Sequence, residues 1–320
     1  MIDRILLPLD GSERAASAIP VVLDIAGAFG SRVILLRVVR KGEVSGGAFP
    51  PDPSEWMLGR TEAEAYLETL RARFREAHVP AEVVVTVGCP ADEIVEAAEK
   101  HRVQLVAVTT HGEGGGSQFP ISGTANKVLK GARTSVLLLP CGMPGPWTRS
   151  LRRVLVPVDG SHRAEWAFRM ALILAREERG KVMLLHVVRP PALEVPGADD
   201  QLRSLAEQYT SHSEWLARRY LTALTARLGI QDVAVDHRVL VDENVCTAIM
   251  ELAAREQAEF VVLSAHGSGA APGTGFGTVT RALLDRSELP VLVLQDAPAA
   301  APRREEVVPH EGTREPSPRA

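Results

Sequence analysis

Two short patterns in this chain have the residue types to hold a polar ligand, and each occurs twice. The first is an apolar run ending in Pro-x-Asp-Gly-Ser: RILLPLDGS at 4–12 and RVLVPVDGS at 153–161. It sets Pro8, Asp10, Gly11 and Ser12 against Pro157, Asp159, Gly160 and Ser161. The second is a His-Gly opening onto a glycine-rich stretch that feeds a helix. It reads HGEGGGSQFPISGTANKVL at 111–129 and HGSGAAPGTGFGTVTRALL at 266–284. An aspartate can accept hydrogen bonds from a ribose or a base edge. Glycines let backbone N–H groups approach phosphates, and a helix beginning near Thr124 or Thr278 aims its positive end at them. Both patterns also have plainer readings. Asp-Gly-Ser is good turn-and-cap chemistry, and a glycine-rich stretch is good surface-loop chemistry.

Several absences narrow the chemistry. There is no GxxxxGK[ST] phosphate loop, and no GxGxxG follows either opening strand. Neither glycine-rich loop contains Lys or Arg; the nearest cations are Lys127 and Arg281, inside the following helices. Phosphate charge would rest on N–H groups, a helix dipole of about half a charge, and Mg²⁺. That equipment suits binding better than fast phosphoryl transfer, which relies on cationic clamps and a positioned nucleophile. His111 and His266 recur without a neighbouring Ser or Cys that would make a triad and read as structural. His186 has no histidine twin, since Arg37 stands there, and also reads as structural.

These patterns sit in a duplicated unit. Asp10 to Asp159 is a step of 149 residues and His111 to His266 a step of 155, so the second copy carries an insertion of about six residues, placed near 189–229. A period this long is a repeated domain, not a solenoid. In the first copy, strands are expected at 4–9, 32–39, 81–87, 105–110 and 135–139. Helices are expected at 13–29 (with a kink or break at Pro20), 55–77, 90–100 and 124–131. The second copy repeats the order, with strands near 153–158, 181–188, 232–239, 259–264 and 290–294. Alternating strands and helices predict an α/β fold of two tandem, doubly wound, parallel five-stranded sheets with a flavodoxin-like strand order. In that arrangement the loops after strands one and four are neighbours at the carboxyl edge, where such sheets bind ligands. The boundaries read as domain one at 1–140, a linker at 141–150, domain two at 151–296, and a Pro-, Ala- and charge-rich tail at 297–320 expected to be disordered. The two halves are expected to pair through strands 135–139 and 290–294, covering open edges, and two chains to form a homodimer.

The formal net charge of −4, with mixed signs along the chain, argues against nucleic-acid binding. Three cysteines at non-equivalent positions give no disulfide framework and point to a reducing cytoplasm. No apolar run approaches the ~20 residues a membrane helix needs.

Taken together, these residues resemble the universal stress protein family in its tandem form, over about residues 1–295. The resemblance implies an adenine-nucleotide alpha-hydrolase-like fold and ATP as ligand. The Pro-x-Asp turn and a strand-two valine would lie at the adenosine, and a G-x2-G-x9-G-[ST] loop at the phosphates. Carried across, the second copy supplies Pro157, Asp159, Val187, Gly267, Gly277 and Thr278, with Ser264 in place of the pattern's leading glycine. The first supplies Pro8, Asp10, Val38 and Gly112, with Thr109 in the leading position. Its loop then runs one residue long to Gly123-Thr124, or, without a gap, meets the pattern at Ser122-Gly123. The implied function is a cytoplasmic, ATP-binding stress-response regulator with at most slow hydrolysis. The alternative is a nucleotide-free scaffold of the same family. An ATP-dependent ligase is disfavoured, because SGGAF (45–49) follows strand two rather than strand one.

Overall fold

A computed structural model describes residues 2–40, 53–112, 121–131, 133–141, 151–192, 200–228, 232–267 and 275–295. The expected linker (apart from Cys141), the tail, and most of both glycine-rich loops lie outside these residues. The first half runs β1 (Arg4–Pro8), α1 (Glu13–Ala16), α2 (Ile19–Phe29), β2 (Arg32–Val39), α3 (Pro53–Glu76), β3 (Ala81–Val87), α4 (Pro90–Lys100), β4 (Leu105–Thr109), α5 (Gly123–Gly131) and β5 (Ser135–Leu139). The second runs β6 (Arg153–Pro157), α6 (His162–Glu177), β7 (Lys181–Val188), α7 (Asp200–Arg227), β8 (Ala234–Val241), α8 (Val245–Arg255), β9 (Phe260–Ser264), α9 (Thr278–Arg286) and β10 (Val291–Leu294).

Pro20 supplies an internal comparison. Ser12 caps α1, the chain breaks at Ser17–Ala18, and α2 restarts with Pro20 in its first turn. Proline has no N–H to give the carbonyl four residues back, and its ring crowds that carbonyl. Arg169 stands at the matching position of the second copy, and there α6 runs unbroken. The break expected at Pro20 is therefore present only where the proline is.

The strands form one ten-stranded sheet in the order β3-β2-β1-β4-β5-β10-β9-β6-β7-β8. Every pairing within a half is parallel; β5 and β10 pair antiparallel. Each half is thus 3-2-1-4-5, which corrects the flavodoxin-like order expected from sequence, 2-1-3-4-5. The reason lies in which strand tolerates an edge. RVILLRVV (β2) is buried through most of its length and belongs inside, whereas β3 and β8, with Glu82 and with Asp236, His237 and Arg238, are only partly buried. The expected meeting of the loops after strands one and four is present and comes from the observed order, in which β1 lies beside β4 and β6 beside β9. β8 sits two residues later than expected, because both windows alternate and pairing with β7 selects Ala234–Val241.

The junction of the halves has near-twofold symmetry. Leu137 pairs with Leu292, its own equivalent, and Val136 and Leu138 pair with Val293 and Val291. Asn126 and Arg281 are also equivalents, and the Arg281 guanidinium donates to Asn126 Oδ1 at 2.9 Å. Each face of the sheet carries one core that runs through both halves. Leu137 and Leu292 belong to the core under α2, α3, α6 and α7, and Val136 and Val293 to the one under α4, α5, α8 and α9.

On the first face α2 packs against α6, and an unfavourable charge is held nearby. Burial, and then the repulsion of Glu178, push the Asp24 carboxyl up to about 6. Near pH 3 and below this group is protonated folded or unfolded and costs nothing. As pH rises towards 6 the unfolded chain releases the proton more readily, so stability is lost across that window. Asp24→Asn should raise stability by about 1–2 kcal/mol at pH 7, allowing for partial solvation of the carboxyl. The gain should vanish near pH 3, which urea titrations at the two pH values check.

Candidate functional site

The Asp-Gly-Ser turns fold alike in both halves. Gly11 and Gly160 take φ of +86° and +85°, the left-handed region open to glycine. Asp10 Oδ1 accepts from Ser12 N (3.0 Å) and Ser12 Oγ (2.6 Å), and Asp159 Oδ1 does the same with Ser161 (3.1 and 2.6 Å). Each serine hydroxyl then caps its helix, accepting from Ala15 N (3.1 Å) or Ala164 N (3.2 Å). The turn-and-cap reading is met in full, and it consumes one carboxylate oxygen and holds the other in place.

That second oxygen faces the His-Gly pair after the fourth strand. A Cβ built on Gly112 would stand 1.8 Å from Asp10 Oδ2, and one on Gly267 would stand 2.6 Å from Asp159 Oδ2. A side chain at Gly112 would displace the Asp10 carboxylate, and one at Gly267 would make the Asp159 carboxylate shift. In each half the two duplicated patterns therefore meet at the carboxyl edge between adjacent strands.

The replaced leading glycines have matching roles. Thr109 Oγ1 donates to the His111 carbonyl at 3.0 Å, and Ser264 Oγ to the His266 carbonyl at 2.9 Å. His266 Nε2 also meets the Gly275 carbonyl, so this ring ties the loop's entry to its exit, in line with a structural role. His111 Nδ1 lies 3.3 Å from Thr110 Oγ1.

The loop exits settle the alignment of the copies. Gly277 N donates to Ala265 O (2.8 Å) as Ser122 N donates to Thr110 O (2.7 Å). Arg281 N bonds Gly277 O as Asn126 N bonds Ser122 O. Ser122 is therefore the counterpart of Gly277, and Gly123 the counterpart of Thr278. Thr124 matches Val279, so pairing Gly123-Thr124 with Gly277-Thr278 is corrected. Ser122 spends its hydroxyl accepting from Ala125 N at 3.2 Å. Thr278 is exposed at the first residue of α9, and Gly123 is exposed at the start of α5.

In the first half, Pro8, Asp10, Val38, Thr109, Gly112 and Thr124 all line one cavity of about 120 Å³; Gly123 is not among its lining residues. Leu36, Ile94, Val108 and Ala125 make its apolar wall, and Arg37 and Arg40 bring positive charge. In the second half Pro157 ends β6 and half-buried Val187 lies near the end of β7.

Sequence reasoning passed over the groups behind the aspartates. The Tyr66 hydroxyl is pushed up by burial and by Asp10, against a lowering by Arg37. Tyr220 is pushed up by burial, Glu165 and Asp159. These are two of only three tyrosines, and they recur 154 residues apart, a signal the repeat analysis could have used.

Among the described residues no cluster of three or more His, Cys, Asp or Glu could hold a metal ion, and no helix is long and apolar enough to cross a membrane. The universal stress protein family model matches residues 1–140 and 150–295. A universal stress protein of Methanocaldococcus jannaschii is 29% identical over 140 residues, 42% of this chain and 81% of that protein. One of Mycobacterium bovis is 28% identical over 196 residues, 60% of this chain and 59% of its own length. Among solved structures, a universal stress protein from Archaeoglobus fulgidus shares the fold with a TM-score of 0.63 at 20% identity, over 92% of this chain and 99% of that one. With a family model matching each half and a shared fold along most of its length, this chain belongs to the universal stress protein family, as a tandem of two such domains.

Proposed function

We propose that the chain is a stress-response regulator that binds ATP, carried with Mg²⁺, and that it acts in the cytoplasm as a homodimer. The observation that supports this best is the duplicated approach of an aspartate to a glycine, Asp10 to Gly112 and Asp159 to Gly267, at the carboxyl edge of adjacent strands. The glycines leave room for the aspartate carboxylates, which would accept hydrogen bonds from ribose hydroxyls. Val38 or Val187 would pack on the adenine. The N-termini of α5 and α9, with Gly277 and Thr278 in the second half, would face the phosphates. Mg²⁺ would ride on the phosphates, as it commonly does. Neither glycine-rich loop contains Lys or Arg, equipment that suits binding better than fast phosphoryl transfer, so nucleotide occupancy is the signal in this reading.

The halves are not equivalent. Ser122 stands where the second half has Gly277, which favours the second half as the stronger ATP site and the first as the weaker one. Isothermal titration with ATP and Mg²⁺ tests this. Asp159→Ala should weaken binding about tenfold or more at the stronger site, the cost of a hydrogen bond to a charged group. Asp10→Ala should have the smaller effect. Equal losses would overturn the ranking, and no binding by the wild-type chain would leave the scaffold reading.

A further inference from the structure

One position separates the surroundings of the two aspartates. Arg37 follows Leu36, the partner of Pro8, and His186 follows Leu185, the partner of Pro157. They are equivalent residues on equivalent strands. In the first half the Arg37 guanidinium reaches over the Asp-Gly-Ser turn, 3.4 Å from where a Cβ on Gly11 would be, and it shares an electrostatic neighbourhood with Asp10 and Tyr66. In the second half the His186 ring meets Tyr220 edge-on at 6.3 Å, and it shares an electrostatic neighbourhood with Asp159. His186 Nδ1 is buried without a hydrogen-bond partner.

We infer that position 37/186 is a positioning residue that sets the charge behind each site's aspartate. It is permanently cationic in the first half and proton-dependent in the second, so binding of an anionic nucleotide is tuned by pH only in the second half. This rests on the nucleotide-binding reading. The groups that share the His186 environment are Asp159 from the β6–α6 turn, Glu165 from α6, and Tyr220 and Arg227 from α7. His237 on β8 lies on the same face of the adjacent strand. Tyr220 donates to Glu165 Oε1 at 3.5 Å, and Arg227 is paired with Glu165. That leaves Asp159 as the anion that favours a protonated His186, while burial is the larger effect and holds the ring below its usual range. Protonation of the ring therefore falls on the acid side of the usual histidine range. Acidification places a new positive charge behind Asp159, which strengthens binding of an anion at that site. The first half cannot respond this way, because a guanidinium does not titrate in this range.

The test uses the full chain carrying Asp10→Ala, which weakens the first site further so that the second dominates the titration, with His186→Arg as the comparison. Arginine already occupies this environment in the first half. ATP affinity should improve about threefold or more between pH 8.0 and 5.0 in the His186 chain relative to the His186→Arg chain, the scale of one solvent-screened charge. The comparison cancels protonation of the nucleotide itself. Identical pH profiles would overturn the inference. A ligand-free measurement decides it separately: the NMR titration of His186 should move to lower pH in Asp159→Asn. An unmoved titration would overturn the coupling whether or not nucleotide binds. Absence of ATP binding by every variant, with the titration shifted as expected, would instead overturn the proposed function and retain the proton coupling.

Discussion

Leu292→Ala is expected to lower the stability of the whole chain, not of its second half alone, by about 2–5 kcal/mol. Leu292 and Leu137 are fully buried and lie opposite one another on the near-twofold axis, where β10 meets β5. Truncating either leaves a cavity in a core that both halves share. Leu137→Ala should therefore have a similar effect, and the double variant should depart from the sum by about 0.5–3 kcal/mol, as for residues in contact. Urea unfolding followed by fluorescence and by circular dichroism checks this. One transition that shifts as a unit in both single variants supports a continuous sheet. Separate transitions, with only one half shifting in each variant, would mean that the halves fold independently and merely touch.

The amount of this that the residues disclose beforehand depends on the range of the interaction. Duplication, strand positions and the pairing of 135–139 with 290–294 are legible, because they follow from repetition, local periodicity and the need to cover open edges. The break at Pro20 is legible because it is one residue's covalent geometry. Strand order is less so: β1, β2, β4 and β5 are all short apolar runs, and only weak polarity in β3 and β8 shows which strands face solvent. The exact match of the loops is less legible still. In sequence, Gly123-Thr124 and Ser122-Gly123 compete as the twin of Gly277-Thr278, and the first looks closer in residue type. Backbone hydrogen bonds show that Ser122 is the true counterpart of Gly277, at the cost of one apparent motif. The tyrosines behind the site were hidden for another reason, since their role comes from facing an aspartate that lies over 50 residues away in the chain.

The same distinction decides which glycines must stay glycine. Gly112→Ala is expected to weaken nucleotide binding in the first half at least tenfold and to cost about 1–2 kcal/mol of stability. Its new Cβ would lie 1.8 Å from Asp10 Oδ2 and 2.9 Å from Cγ, so the carboxylate must leave the turn that bonds Ser12. Gly267→Ala meets Asp159 Oδ2 at 2.6 Å, a milder clash that a small rotation relieves, so its stability cost should be smaller while binding in the second half still falls. Gly277→Ala is the control. Its Cβ would meet Ala265 O at 3.5 Å and the His266 Cα at 3.6 Å, ordinary contacts, and its φ of −61° suits any residue. Melting without ligand should then fall clearly for Gly112→Ala and hardly for Gly277→Ala, while titration with ATP and Mg²⁺ shows affinity falling for Gly112→Ala and Gly267→Ala. If both latter variants bind as tightly as wild type, the meeting of aspartate and glycine is only a packing feature, and the nucleotide must be sought elsewhere on the chain.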